Sequence, residues 1–240
     1  MGKKSKLITF DFETGGLNKD ENPVMELAIV VTDQFEFEEL TTWTTLIKPY
    51  KDESGNELKI EKKALDVHGI SVSDCESKGV LIKDMVDGVI EICKSFTPKG
   101  DRGINRPILC GHNVVFDIGF LRKAFLICGK DLSDYVNQNN GEIVYWDSMQ
   151  MTCQAFNIKE DSEIGISLGE SLKLCGLGGT LTLAHRALPD TRATAKLIKH
   201  LVGRIRSEGG NKPEGKSKNK TETKDFRELI PLNRKAKFEM

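Results

Sequence analysis

The chain has 240 residues, a formal net charge of −1, and 38% hydrophobic and 30% charged residues, enough for one full-sized domain with a core but too short for two large ones. No run approaches the roughly 20 apolar residues of a membrane span. Residues 1–6 are basic and lead into a short alternating segment that contains acids, not the apolar core of a signal sequence, so a cytoplasmic protein is expected.

Residues 4–12 read as a strand, followed by two more at about 24–33 and 40–48, the third rich in threonine and closed by Pro49. The short gaps between them predict an antiparallel meander. Polar residues 51–57 make a loop. The apolar period then changes: residues 60–67 suggest a short helix, and 80–96 a longer one with Leu81, Met85, Val89 and Ile92 at helical spacing. A short strand is expected at 107–112, then a helix at 114–128 ended by Gly129. Residues 130–142 read as a polar loop and 144–146 as a strand end, with helices at 148–157, 167–175 and 190–205. Strands first, then strands alternating with helices, predict a mixed α/β sheet.

Six cysteines (75, 93, 110, 128, 153, 175) stand singly without a C-x-x-C pair, which argues against zinc and for reduced core thiols. From Gly203 to Met240 there are eleven Lys/Arg against six Asp/Glu, a local +5 that leaves −6 on the remainder. A basic tail beside an acidic body suits a body that gathers cations and a tail that touches phosphates; a solvated tail without a partner has the same composition. Residues 1–206 are therefore read as the folded domain and 207–240 as a basic, flexible tail.

Three short segments carry the chemistry. In Ile8-Thr9-Phe10-Asp11-Phe12-Glu13-Thr14-Gly15-Gly16, strand alternation points Ile8, Phe10 and Phe12 toward a core and puts Asp11 and Glu13 together on the other face. Two adjacent carboxylates repel unless a hard cation lies between them, although an edge strand with solvated acids gives the same pattern. In Gly111-His112-Asn113-Val114-Val115-Phe116-Asp117, the acid falls in the first turn of a helix. A dipole or capping role is open to it there, but an acid flanked by Phe116 and Phe120 is costly unless paired or liganded. In His185-Arg186-Ala187-Leu188-Pro189-Asp190, an acid opens the last helix and a histidine precedes it in the loop. An imidazole titrates near neutral pH and can take a proton from an attacking water.

Together these segments resemble the histidine-bearing branch of the DEDD exonuclease superfamily. Proofreading exonuclease subunits of bacterial replicative DNA polymerases and their stand-alone relatives belong to that branch. The resemblance runs over roughly residues 5–203 and includes Val67-His68-Gly69-Ile70, Trp146-Asp147, and the segment from Ser167-Leu168 to Leu174. It implies a ribonuclease H-like fold, a five-stranded mixed sheet flanked by helices. It implies two Mg²⁺ or Mn²⁺ ions, with Asp11 bridging both, Glu13 and Asp190 completing one site, Asp117 holding the other, and His185 as general base. The implied reaction is 3′–5′ hydrolysis of DNA phosphodiester bonds with release of nucleoside 5′-monophosphates. Backbone around Thr14 and Gly15 would hold the terminal nucleotide, Leu17 and His68 would lie against the last bases, and Asn113 and Phe116 would line the phosphate path. The implied partners are single-stranded DNA or RNA 3′ ends and a DNA polymerase or other replication protein reached through the tail. An RNA-trimming member of the same branch would carry the same acids, and a catalytically silent binding module is the alternative from another class. The 130–142 loop and the tail match no family pattern.

Overall fold

The computed structural model describes residues 5–101, 103, 105–158, 166–179 and 186–208. The chain begins with the expected meander, β1 (Leu7–Thr14), β2 (Val24–Thr32) and β3 (Glu39–Leu46), each strand antiparallel to the next. Three helices follow, α1 (Lys62–His68), α2 (Val72–Lys78) and α3 (Ile82–Ser95). Strand β4 (Ile108–Gly111) leads into α4 (Val114–Ile127). A small β5 (Gln138–Asn139) and β6 (Glu142–Ile143) precede β7 (Tyr145–Asp147), and α5 (Ser148–Ala155), α6 (Leu168–Leu174) and α7 (Ala187–Glu208) complete the domain. The main sheet has the order β3-β2-β1-β4-β7, with β1, β4 and β7 parallel.

Both faces of the sheet are covered, which is why β2 reads as a nearly unbroken apolar run and is buried along its whole length. On one face Ile8, Phe10 and Phe12 pack with Met85, Val86 and Val89 of α3 and Ile118, Leu121 and Phe125 of α4. On the other, Leu7, Ile108, Cys110 and Trp146 meet Met151, Leu172 and the Ala193, Leu197, Leu201 and Val202 face of α7. Burying an aliphatic side chain contributes roughly 1.5–3 kcal/mol, so the two-sided core offsets the ordering of the chain. Cys75, Cys93, Cys110 and Cys175 are buried thiols, as expected of core cysteines, whereas Cys128 and Cys153 are only half-buried.

The structure departs from the sequence reading in several places. Helix α2 was not foreseen: it spans seven residues and buries only Cys75, and its start is marked by Ser71, whose hydroxyl accepts the Asp74 N–H. Leu81 stands exposed ahead of α3, outside the core stripe. The 130–142 loop contains a single 3-10 turn, Leu132–Asp134, and the β5–β6 hairpin, which turns at Asn140 and Gly141 with φ of 54° and 83°. Asn-Gly at two left-handed positions is the pairing such a turn favours. Helix α7 begins at Ala187, before Pro189-Asp190. Proline is tolerated there, because the first four N–H groups of a helix have no partner within it. Among the described residues no helix is long and apolar enough to cross a membrane.

Candidate active site

Alternation along β1 places Asp11 and Glu13 on the face that α7 crosses, with Ala28 and Glu26 beside them on β2. The first turn of α7 brings Asp190 to the same place. Ligand oxygens of Asp11, Glu13 and Asp190 lie within 4.8 Å of one another. The fourth acid arrives from the side. β1 pairs with β4 only through Leu7, Ile8 and Thr9, so the two strands part beyond that point. Asp117, in the first turn of α4, fills the gap, and its Oδ1 accepts the Phe12 N–H at 3.1 Å. The acids thus gather at the carboxyl end of parallel strands, between the starts of two helices on opposite faces. Open α/β sheets form their ligand crevices at such points, and helix N-termini favour negative charge there.

The electrostatics are those of several acids crowded into one buried place. Burial pushes the Asp11 carboxyl well above the usual range, and Asp117, Glu13, Asp190 and Glu26 each push it further. Glu13 is raised to about 7, first by burial and then by Asp190 and Glu26, against the lowering effect of Arg186. Asp117, 4% exposed, is raised to about 8 by burial, although the Phe12 N–H favours its charged form. Carboxylates gathered in this way are hard oxygen donors of the kind that hold divalent metal ions.

The other expected residues divide into two groups. Leu17, 83% exposed, and Phe116 line a cavity of about 540 Å³ together with Lys19, Glu61, Gly119 and Phe120. The Phe116 and Phe120 rings sit 4.9 Å apart. The loop leading to Leu17 is held tightly. A Cβ on Gly16 would lie 2.5 Å from the Asn22 side chain, the Thr14 hydroxyl donates to the Gly16 carbonyl, and both backbone polar groups of Gly15 bond within the protein, to Pro23 and Glu61. His68 is buried at the end of α1, where its Nδ1 accepts the Ile70 N–H at 3.0 Å; it does not line the cavity. Asn113 starts α4 in the left-handed region, φ 56°, and donates its N–H to Asp147 Oδ1 at 2.9 Å. His185 lies outside the described residues, which resume at Arg186.

Two acids beside the site were given no role in the sequence reading, although Asp147 was among the segments of the resemblance. Asp147 caps α5 and holds the Asn113 turn through one oxygen. Its sequence signal was an Asp-Ser pair opening a helix. Glu26 breaks the apolar run of β2 and lies opposite Glu13. A lone acid inside an otherwise apolar strand was its signal.

Fold and site together define a ribonuclease H-like, metal-dependent 3′–5′ exonuclease of the DEDD type. The chain belongs to the RNase T exonuclease family, which it matches over residues 8–198. It is 26% identical over 216 residues to Ribonuclease T of Buchnera aphidicola, covering 86% of this chain and 88% of that protein. Ribonuclease T of Shewanella denitrificans is 26% identical over 213 residues, covering 85% and 83%. Among solved structures, E. coli Exonuclease I with a dT13 oligonucleotide superposes with a TM-score of 0.66 at 20% identity, over 86% of this chain and 43% of that one. Its zinc-bound complex with single-stranded DNA gives 0.60 at 20% identity, over 84% and 41%. The chain thus spans less than half of Exonuclease I, and that likeness is one of fold. Exonucleases of the DEDD type use divalent metal ions.

Proposed function

We propose that this chain trims single-stranded 3′ ends, releasing nucleoside 5′-monophosphates, with Asp11, Glu13, Asp117 and Asp190 holding two Mg²⁺ or Mn²⁺ ions. The convergence of ligand oxygens from β1 and α7 within 4.8 Å carries this reading. Bound there, divalent cations supply charge neutralisation and Lewis-acid activation of the water and the scissile phosphate. Asp11, whose ionisation all the neighbouring acids oppose, would be shared between the two ions. Glu13 and Asp190 would hold one ion with it and Asp117 the other. His185, one residue before Arg186, takes the proton of the attacking water on its imidazole. Leu17 and Phe116 receive the terminal base in the cavity beside α4, by apolar contact and stacking that tolerate any base.

RNA ends are the first substrate to test, because the relatives matched over most of their length are Ribonuclease T. Single-stranded DNA is the second reading, supported by the fold shared with Exonuclease I and its oligonucleotide complex. We assign the exonuclease domain to residues 1–206 and treat 207–240 as a basic tail whose deletion leaves cleavage of short oligonucleotides intact. The polymerase partner expected from the proofreading resemblance gains no support from the relatives named above.

The test uses a 5′-labelled RNA and its DNA twin with wild type and Asp11→Ala, in Mg²⁺, Mn²⁺ or EDTA, resolved on a sequencing gel. A ladder shortening from the 3′ end, lost in EDTA and in the variant, is expected, and its strength on each strand assigns the sugar preference. Folded protein that binds both strands and shortens neither with any metal is a binding module instead.

A further inference from the structure

Glu26 stands beside the four acids without belonging to them. It is 6% exposed and lies opposite Glu13 in the strand register. Both its oxygens reach the start of α7. Oε2 accepts the Ala187 N–H at 3.2 Å and the Arg186 Nε–H at 3.4 Å, and Oε1 accepts the Arg186 Nη2–H at 3.1 Å. A buried carboxylate persists when it is paired and hydrogen-bonded, and a two-pronged guanidinium contact fixes direction as well as distance. Within the same turn the Asp190 N–H donates to the Arg186 carbonyl at 3.2 Å, and the Thr191 hydroxyl donates to the Ala187 carbonyl at 2.6 Å. The turn held by Glu26 is therefore the turn that carries Asp190, and Arg186 follows His185 directly in the chain.

We propose that Glu26 and Arg186 are positioning residues: an ion pair closed around the Ala187 N–H that sets where α7 begins and holds Asp190 against Asp11 and Glu13. The proposal rests on the exonuclease reading above for its catalytic consequence, and on the described geometry for its effect on cation binding.

Arg186→Met separates positioning from simple charge. Removing a cation beside a cluster of carboxylates tightens cation binding if charge is all that matters. Loosening the first turn of α7 weakens it. Mn²⁺ binding is measured by titration calorimetry at pH 8.5, where competition from protons on the raised carboxyls is smallest, together with kcat and KM on an RNA or DNA oligonucleotide. Losing a partner that orients a ligand costs about 10–100-fold in metal affinity or activity. Arg186→Met should weaken Mn²⁺ binding and lower kcat by that order while leaving KM for the oligonucleotide near wild type. Arg186→Lys keeps the charge but not the fork and should recover part of both. The Arg186 side chain is 53% exposed, so methionine there is expected to fold. If circular dichroism shows otherwise, Arg186→Lys carries the reading: charge alone predicts wild-type Mn²⁺ affinity, and loss of the fork predicts weaker binding. Wild-type or tighter Mn²⁺ binding by Arg186→Met overturns the proposal whatever the rate does. So does a loss confined to melting temperature, which reduces the pair to a structural tie. Wild type that binds Mn²⁺ but shortens no strand refutes the exonuclease reading and leaves the cation result to judge the positioning of Asp190.

Discussion

Asp117→Asn should stabilise the metal-free protein at alkaline pH, although it removes one of the proposed ligands. The folded carboxyl titrates near 8, against 3.8 for its ordinary value, mainly because it is buried. A folded pKa raised in this way gives a stability cost that is absent below the unfolded value, grows as pH rises from about 4, and is complete above about 8. Four units at about 1.4 kcal/mol each set an upper figure of about 6 kcal/mol. Relaxation and water penetration raise the effective dielectric and reduce this to about 3 kcal/mol. At pH 5 only about a quarter of the effect has developed. Asparagine keeps an oxygen for the Phe12 N–H and carries no charge. For a domain of roughly 200 residues, each kcal/mol shifts Tm by about 2–4 °C. The variant in EDTA at pH 8.5 should therefore melt about 6–12 °C above wild type, with a gap near 3 °C or less at pH 5. Millimolar Mg²⁺ should close or reverse the alkaline gap, because only wild type has the full set of ligands to be stabilised by binding. Thermal melts followed by circular dichroism in EDTA or Mg²⁺ make the measurement. A variant less stable than wild type at pH 8.5 in EDTA, or a gap that does not grow with pH, would refute the picture of a buried carboxyl held against its own ionisation.

Three further outcomes are expected. His185→Ala should slow hydrolysis about 10²–10⁴-fold with Mn²⁺ affinity little changed; an unaltered rate at neutral pH in single-turnover assays removes the general-base role. Phe116→Ala should raise KM for oligonucleotides by roughly the 1–3 kcal/mol of one base–aromatic stack and leave cation binding alone, whereas unchanged KM places the base elsewhere. Gly16→Ala drives a methyl into the Asn22 side chain, so both oligonucleotide affinity and melting temperature should fall. A variant matching wild type in both would show that the loop does not need glycine there.

Much of the site was legible because it depends on local periods. The two-residue repeat of β1 put Ile8, Phe10 and Phe12 into one core cluster and turned Asp11 and Glu13 the other way, as the structure finds. The apolar helical stripe of α3 and the left-handed Gly129 beyond α4 were equally local. Helix α2 escaped because seven residues with one buried cysteine make too weak a period, and the β5–β6 hairpin because two-residue strands have almost none.

Asp11, Glu13, Asp117 and Asp190 could be named from their segments, since each sits at a strand position or helix start that the chain announces. Their charge balance could not. That Asp117 reaches across to the Phe12 N–H, that Glu26 lies opposite Glu13, and that Arg186 closes on Glu26 from far along the chain are facts of packing between distant segments. Raised carboxyl pKa values follow from burial and from the company each acid keeps. A linear sequence states which groups can ionise; the low-dielectric, crowded place where they meet exists only once the sheet and its two opposing helices have closed on it.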